Sequence, residues 1–297
     1  MWRLLDGKPG HENQTAGLLA ALAARRPLSG FDLPVPPRWR GWLDLLRGRC
    51  PAGDGLPPPD LLLGAGRAVQ APLLACRRAR GGRAVVLMNP GLPRSWFDLC
   101  VIPEHDDVPA GPGVFVSRGA LNAARPAPAR REDLGLILIG GPSRQFDWDA
   151  DRIAAQIGQI LQRDPRAWLI ATSRRTPAAT LEVLRGRFSA AAGIVTPDQA
   201  APGWLLGQLA LAPVAWISED SVSMLYEALT AGAACGLLEV PARRRGRVRA
   251  GLDRLLAEGR VTAYADWARG RPLMVADEPL DEAGRCADWI LDRWFAA

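Results

Sequence analysis

The residues of this chain that could do chemistry gather in short segments, each following an apolar run. The first is DGKPGHENQ, Asp6 to Gln14, which holds the only lysine, Lys8, and one of two histidines, His11. The other histidine, His105, lies in PEHD behind the apolar LCVI. Core histidines sit within apolar runs, and these do not. An imidazole so placed can move a proton near neutral pH; the competing reading is a cap or turn role. The most informative segment is SEDSVSMLYEALTAG. There the apolar VAWI ends, and Asp220 or Ser221 is expected to cap a helix that runs to about Leu229 and stops at Gly232. A helix start offers free N–H groups and a positive dipole end. With the hydroxyls of Ser221 and Ser223 it suits an anion such as a diphosphate. Glu227, one turn beyond Ser223, is placed to accept hydrogen bonds from ribose hydroxyls. TSRRTP puts Arg174 and Arg175 between hydroxyl residues, with Ser173 directly before them, where they can grip a phosphate. A solvated arginine pair is the alternative. GAGR, from Gly64, and GGPSRQ, with Gly140, Gly141 and Ser143, allow tight strand-to-helix turns and close approach of a ligand.

Such segments act together only if one scaffold presents them from one side. Short apolar runs alternate with helical patterns along the whole chain, which predicts parallel sheets covered by helices on both faces. In open parallel sheets the ligand crevice lies at the carboxyl ends of the strands, where these segments fall. AARPAPARR, Ala123 to Arg131, lacks periodicity and is read as a linker. The expected organisation is a domain over 1–125, a second over 132–278, and a terminal amphipathic helix within 279–297 that crosses back to brace the first.

Composition narrows the classes. The chain has 297 residues, 48% hydrophobic and 23% charged, enough for two cores. Its net charge of +6 permits an anionic partner. Of 37 basic residues only Lys8 is lysine, a bias that looks like a GC-rich bacterial genome, so arginine abundance is not evidence of nucleic-acid binding and none is expected. GxGxxG and GxxxxGK[ST] are both missing, which argues against a dehydrogenase and a P-loop enzyme. Cys50, Cys76, Cys100, Cys235 and Cys286 are scattered and odd in number, so reduced cytoplasmic thiols are expected. No metal-ligand spacing appears among Cys and His. MWRLLDGKPG lacks the apolar region of a secretory leader, so none is expected, and no apolar stretch reaches ~18 residues. The expected location is cytoplasmic, with peripheral attachment to the inner face of the membrane as an extension. Two segments suggest an anionic membrane surface as a partner: ARRRGRVR, Ala242 to Arg249, and the basic amphipathic PPRWRGWLDLLRGR with Trp39 and Trp42. Solvation of the first and burial of the second are the alternatives.

DGKPGHENQ, TSRRTP and DSVSMLYEA, in this order, resemble the family named for a plant mitochondrial-fission (elongated mitochondria) protein, and the resemblance covers nearly the whole chain. The chain also resembles GT-B glycosyltransferases, especially the type that builds the lipid-linked peptidoglycan precursor. That likeness implies two Rossmann-like domains facing a cleft, with a nucleotide sugar on the C-terminal one. Asp220, Ser221, Ser223 and Glu227 match its serine-bearing helix start and ribose-binding glutamate. Gly140, Gly141 and Ser143 would approach the diphosphate, with Ser173 and Arg174 nearby. DGKPGHENQ then floors the acceptor side, with Lys8, Gly10, Asn13, Gln14 and His105 lining it and His11 or Asp6 as base. The expected function is a metal-independent inverting glycosyltransferase that uses a nucleotide sugar as substrate, needs no further cofactor, and acts on a cell-envelope or lipid-linked acceptor. Two other readings stand beside it: a non-catalytic protein that binds a nucleotide sugar or a membrane-surface partner, and an epimerase.

Overall fold

A computed structural model describes residues 1–243, 246–275 and 278–296. The chain divides into two compact units, Met1–Ala123 with Asp281–Ala297, and Ala124–Leu280.

The first unit is built from β1 (Trp2–Leu5), α1 (Pro9–Ala23), β2 (Phe31–Pro34), α2 (Arg38–Arg47), β3 (Leu61–Ala65), α3 (Gln70–Arg80), β4 (Arg83–Leu87), β5 (Leu99–Pro103) and β6 (Val114–Ser117). All its strand pairs are parallel, in the order β2-β1-β3-β4-β5-β6. Strands such as β3 and β5 are buried at every position, as helix cover on both faces requires. One face packs Leu18, Leu22, Val85 and Leu99 against helix residues Cys286 and Ile290 from the far end of the chain. The other packs Trp2, Leu62, Leu73 and Ile102.

DGKPGHENQ is not the loop that its glycines suggest. Gly7 turns the chain at φ +75°, and α1 begins at once with Pro9 in its first turn. Proline is suited to that place because its fixed φ is helical and its missing N–H would have had no partner. His11, Asn13 and Gln14 are therefore helical residues.

The expectation of reduced thiols fails for one pair. Cys50 and Cys76 form a disulfide, with Cα atoms 4.8 Å apart and a sequence separation of 26. Packing of α2 on α3 closes that distance. Cys100, Cys235 and Cys286 are free and buried; burial pushes the Cys100 thiol up to about 11.

The second unit holds β7 (Leu134–Ile139), α4 (Ala150–Arg163), β8 (Ala167–Thr172), α5 (Ala178–Phe188), β9 (Ala192–Val195), α6 (Trp204–Leu211), β10 (Val214–Ser218), α7 (Val222–Thr230), β11 (Ala234–Leu238), α8 (Arg247–Ala257), β12 (Thr262–Ala263) and α9 (Tyr264–Ala268). Its parallel order is β12-β11-β10-β7-β8-β9, the Rossmann order read from the far edge. Glycines make room for two large core indoles. Gly135 is paired with Trp168 and Gly236 with Trp216, and any side chain at either glycine would collide with the ring. The segment read as a linker is bonded to this unit: Arg131 N–H donates to Leu211 O at 2.9 Å, and the Arg130 guanidinium donates to Gly232 O at 2.8 Å. Arg244 and Arg245 of the arginine run lie outside the described residues.

The chain ends in α10 (Glu282–Trp294), which belongs to the first unit and packs along α1. Asp281 caps it by accepting from Gly284 N–H at 2.8 Å, and Arg25 of the α1 end pairs with Asp288.

Candidate functional site

Strand order decides where ligands bind in open sheets, because a crevice opens where successive crossovers depart in opposite directions. In the first unit that point lies between β1 and β3, and in the second between β7 and β10.

At the first switch point Asp6 follows β1, and its carboxylate is almost wholly buried, 2% exposed. Oδ2 lies 2.9 Å from His11 Nδ1, and Oδ1 accepts from Lys8 N–H at 3.2 Å. The Lys8 ammonium, 66% exposed, lies 3.8 Å away. A carboxylate only accepts, so the proton resides on Nδ1 and the Nε2 lone pair is left for another partner. From β3 the chain turns at Gly66, φ +82°, whose bare Cα lies directly against the His11 ring. Buried Gln70 ties this turn to the loop after β4: its amide donates to Gly66 O at 3.3 Å and accepts from Gly91 N–H at 3.2 Å. Met88, at the end of β4, is held at φ 72°, a conformation costly for a side-chain-bearing residue and frequent near functional sites.

The other residues expected on an acceptor side are less concentrated. Asn13 Oδ1 accepts from Ala123 N–H at 3.2 Å, a clip on the unit's own backbone. Gly10 has open space around it, and Gln14 is half-buried on the next turn of α1. His105 sits in a short turn after β5, separated from β3 by β4, and no hydrogen bond joins it to the Asp6–His11 pair among the described residues.

At the second switch point Gly140 N–H donates to Ser218 Oγ at 2.8 Å, stitching the end of β7 to the end of β10. Asp220 is the hub. Its side chain is fully buried, and Oδ2 receives Gly141 N–H at 3.0 Å, Ser221 Oγ at 3.1 Å and the Arg175 guanidinium at 2.7 Å. Its Oδ1 is buried with no hydrogen-bond partner among the described residues. Arg175 also donates to Gly141 O at 2.8 Å and to Ser221 Oγ at 3.2 Å. Thr176 Oγ1 donates to Gly140 O at 2.5 Å. The glycine pair is thus demanded by the protein itself: a side chain at Gly140 would overlap Asp220, and one at Gly141 would overlap the Arg175 backbone.

Three sequence expectations change here. Ser221 precedes α7, yet its side chain does not cap the helix, because its hydroxyl is engaged by Asp220 and Arg175. Asp220 does not cap it either; its carboxylate is taken up by Gly141 N–H, Ser221 Oγ and Arg175 and so organises the loop. The arginine that reaches this cluster is Arg175, whose guanidinium bonds Asp220 although both it and Arg174 are exposed at the surface. Ser143 closes its own turn, accepting from Phe146 N–H at 3.1 Å, and Ser173 accepts from Arg175 N–H at 3.2 Å. Ser223 is exposed on the first turn of α7, and Glu227 is half-buried one turn on. Glu219 is also buried: it accepts from Val240 N–H at 3.1 Å and pairs with Arg249 at 2.9 Å. Burial pushes its carboxyl above the ordinary value, against the pull of those two donors.

Sequence reasoning missed Gly66 as the neighbour of His11, and Gln70, Ser218 and Thr176 as loop ties. The legible signal was a single amide or hydroxyl beside an apolar run; which loops each would join was not in the pattern.

Residues 9–294 match the model of the family described as Mitochondrial fission ELM1. A curated relative, the uncharacterized protein RP120 of Rickettsia prowazekii, is 25% identical over 224 residues, covering 59% of this chain and 63% of the relative. The chain thus spans less than two thirds of that relative's length. Among solved structures, the UDP-GlcNAc 2-epimerase of Methanocaldococcus jannaschii superposes with a TM-score of 0.60 at 11% identity, over 98% of this chain and 99% of that one. An S. aureus MnaA–UDP co-structure gives 0.53 at 12% identity, over 98% and 87%. These likenesses show the fold, a GT-B-type pair of Rossmann-like sheets.

Proposed function

This chain belongs to the Mitochondrial fission ELM1 family, and on that premise we propose that it is a glycosyltransferase using a nucleotide sugar held at the β7–β10 switch point. The observation that carries the reading is the buried Asp220 hub. It fixes the Gly140–Gly141 turn, the Arg175 guanidinium and the uncapped start of α7 around one another. A diphosphate placed there meets helix N–H groups and a guanidinium together, which is how charge on a departing diphosphate is stabilised. Glu227 on α7 is assigned to the ribose hydroxyls. Since the similar structures are named for UDP and a UDP sugar, a uridine donor is the first choice.

His11 is the proposed general base. Its Nε2 takes the proton from an acceptor hydroxyl, and Asp6 holds the ring and steadies the imidazolium. The acceptor oxygen forms its bond to the anomeric carbon on the face opposite the diphosphate. The old bond breaks with its electron pair on the diphosphate, and the configuration inverts. Arg175 and the α7 dipole supply the positive charge, so the reaction is proposed as metal-independent, with a cell-envelope acceptor. One observation favours a second reading: the first of the similar structures is named a 2-epimerase.

Thermal shift and calorimetry with UDP, GDP, CMP and dTDP, each with and without sugars, test the site. We expect one nucleotide to stabilise the protein and Glu227→Ala to abolish the shift. His11→Ala should retain donor binding but lower transfer by roughly 100-fold or more. A flat panel at millimolar concentration would sink the donor site. Sugar epimerised with no acceptor present would move the assignment to an epimerase, and binding without turnover to a non-catalytic binder.

A further inference from the structure

Helix α2 is turned inside out. Trp39, Trp42, Leu43 and Leu46 recur at the spacing of a single apolar stripe, which ordinarily faces a core. Here the buried residues are Gly41 and Asp44 on the opposite side. Gly41 lies against Pro72 of α3, where a Cβ would come within 2.8 Å of the proline ring, so its missing side chain seats α2 with the stripe outward. Trp39 is 68% exposed, Trp42 36% and Leu46 73%.

Charge frames the stripe. At about 100° per residue, Arg38 falls on one flank and Arg40 and Arg47 on the other. Arg49 follows the helix, and exposed Arg78 of α3 donates to Leu45 O at 3.2 Å. Among the described residues no carboxylate pairs with Arg38, Arg40, Arg47 or Arg49. The one acid of the helix, Asp44, is on the buried face.

We propose that α2 is a docking helix for an anionic phospholipid surface. It lies in the plane of the interface, with Trp39, Trp42 and Leu46 at headgroup depth and the flanking arginines on lipid phosphates. At ten residues it is about 15 Å long, which lies on a bilayer but does not cross one. No helix among the described residues is long and apolar enough to span. A second copy of the chain fits less well, because pairing the stripes would bring like-charged arginine rows together. The inference stands apart from the nucleotide-sugar reading.

Co-sedimentation of the whole chain with vesicles of phosphatidylglycerol and phosphatidylethanolamine, against phosphatidylcholine alone, tests it. Binding to the anionic vesicles should weaken as salt rises. Trp39→Ser with Trp42→Ser should lower it roughly tenfold with an unchanged melting temperature, since both rings are exposed. Brominated lipid should quench tryptophan fluorescence of the unmodified protein, a readout that needs no variant. Failure to bind anionic vesicles would overturn the proposal, as would equal binding by the doubly substituted protein. A change from dimer to monomer on substitution, seen without lipid, would instead make the stripe an interface between copies.

Discussion

Asp6 and Asp220 play parallel parts in the two units. Each follows a strand at a switch point, each is buried, and each accepts from a backbone N–H and a nitrogen-bearing side chain: Lys8 and His11 for one, Gly141 and Arg175 for the other. Under the proposed function both are positioning residues, and the groups they orient are the ones that would meet a ligand. The acids were legible as residues at strand ends, but their direction was not, because neighbours distant in sequence decide which carboxylate is enclosed. Glu219 shows what enclosure costs. Its carboxyl is raised above 4.5, chiefly by burial. A raised carboxyl value means that the native state holds the proton more tightly than the unfolded chain does. The ionised group therefore costs stability above the shifted value and nothing below the unfolded one. We expect Glu219→Gln to gain on the unmodified protein as pH rises from about 4 to about 7, as read from urea unfolding at each pH. A gap that does not move with pH would mean that Arg249 fully offsets the burial.

Within α1, the same residue type carries opposite expectations at two positions. Alanine is favoured over glycine in a helix by up to about 1 kcal/mol. A Cβ at Gly10 would meet nothing within 4 Å outside its own helix, so Gly10→Ala, in the first turn, should keep part of that gain. Gly17 packs against the backbone carbonyl of Asn122, which a methyl group would overlap. A main-chain atom yields less easily than a side-chain tip, so Gly17→Ala should destabilise by roughly 1–3 kcal/mol despite its better propensity. Melting temperatures moving in opposite directions would bear this out, and a rise for both would refute the contact. The early start of α1 has a related cause. The cluster of Gly, Pro and polar residues in DGKPGHENQ reads as loop, but Pro at the first helical turn is compatible with helix.

At the scale of the molecule, the last helix completes the first unit. Ala283, Cys286, Ala287 and Ile290 of α10 fill the same cluster as Leu18, Leu22 and Leu121. A chain ending at Leu280 should therefore lose the cooperative melting of the first unit and retain that of Ala124–Leu280, as scanning calorimetry would show. Loss of both transitions, or of neither, would contradict this division of cores. The fold class and its repetition were readable from the sequence, because short apolar runs alternating with amphipathic segments bury well only as parallel strands beneath helices. The identity of the loops that could carry chemistry was readable too, since the carboxyl ends of such strands are marked by where each apolar run stops. Strand order was not readable, and it is strand order that brings Gly66 to His11 and Asp220 to Gly141. The Cys50–Cys76 bond, the engagement of Arg175 by Asp220 and the outward stripe of α2 were likewise decided by tertiary structure. All of them depend on contacts between segments far apart in sequence, and local patterns of hydrophobicity and turn chemistry hold no record of such contacts.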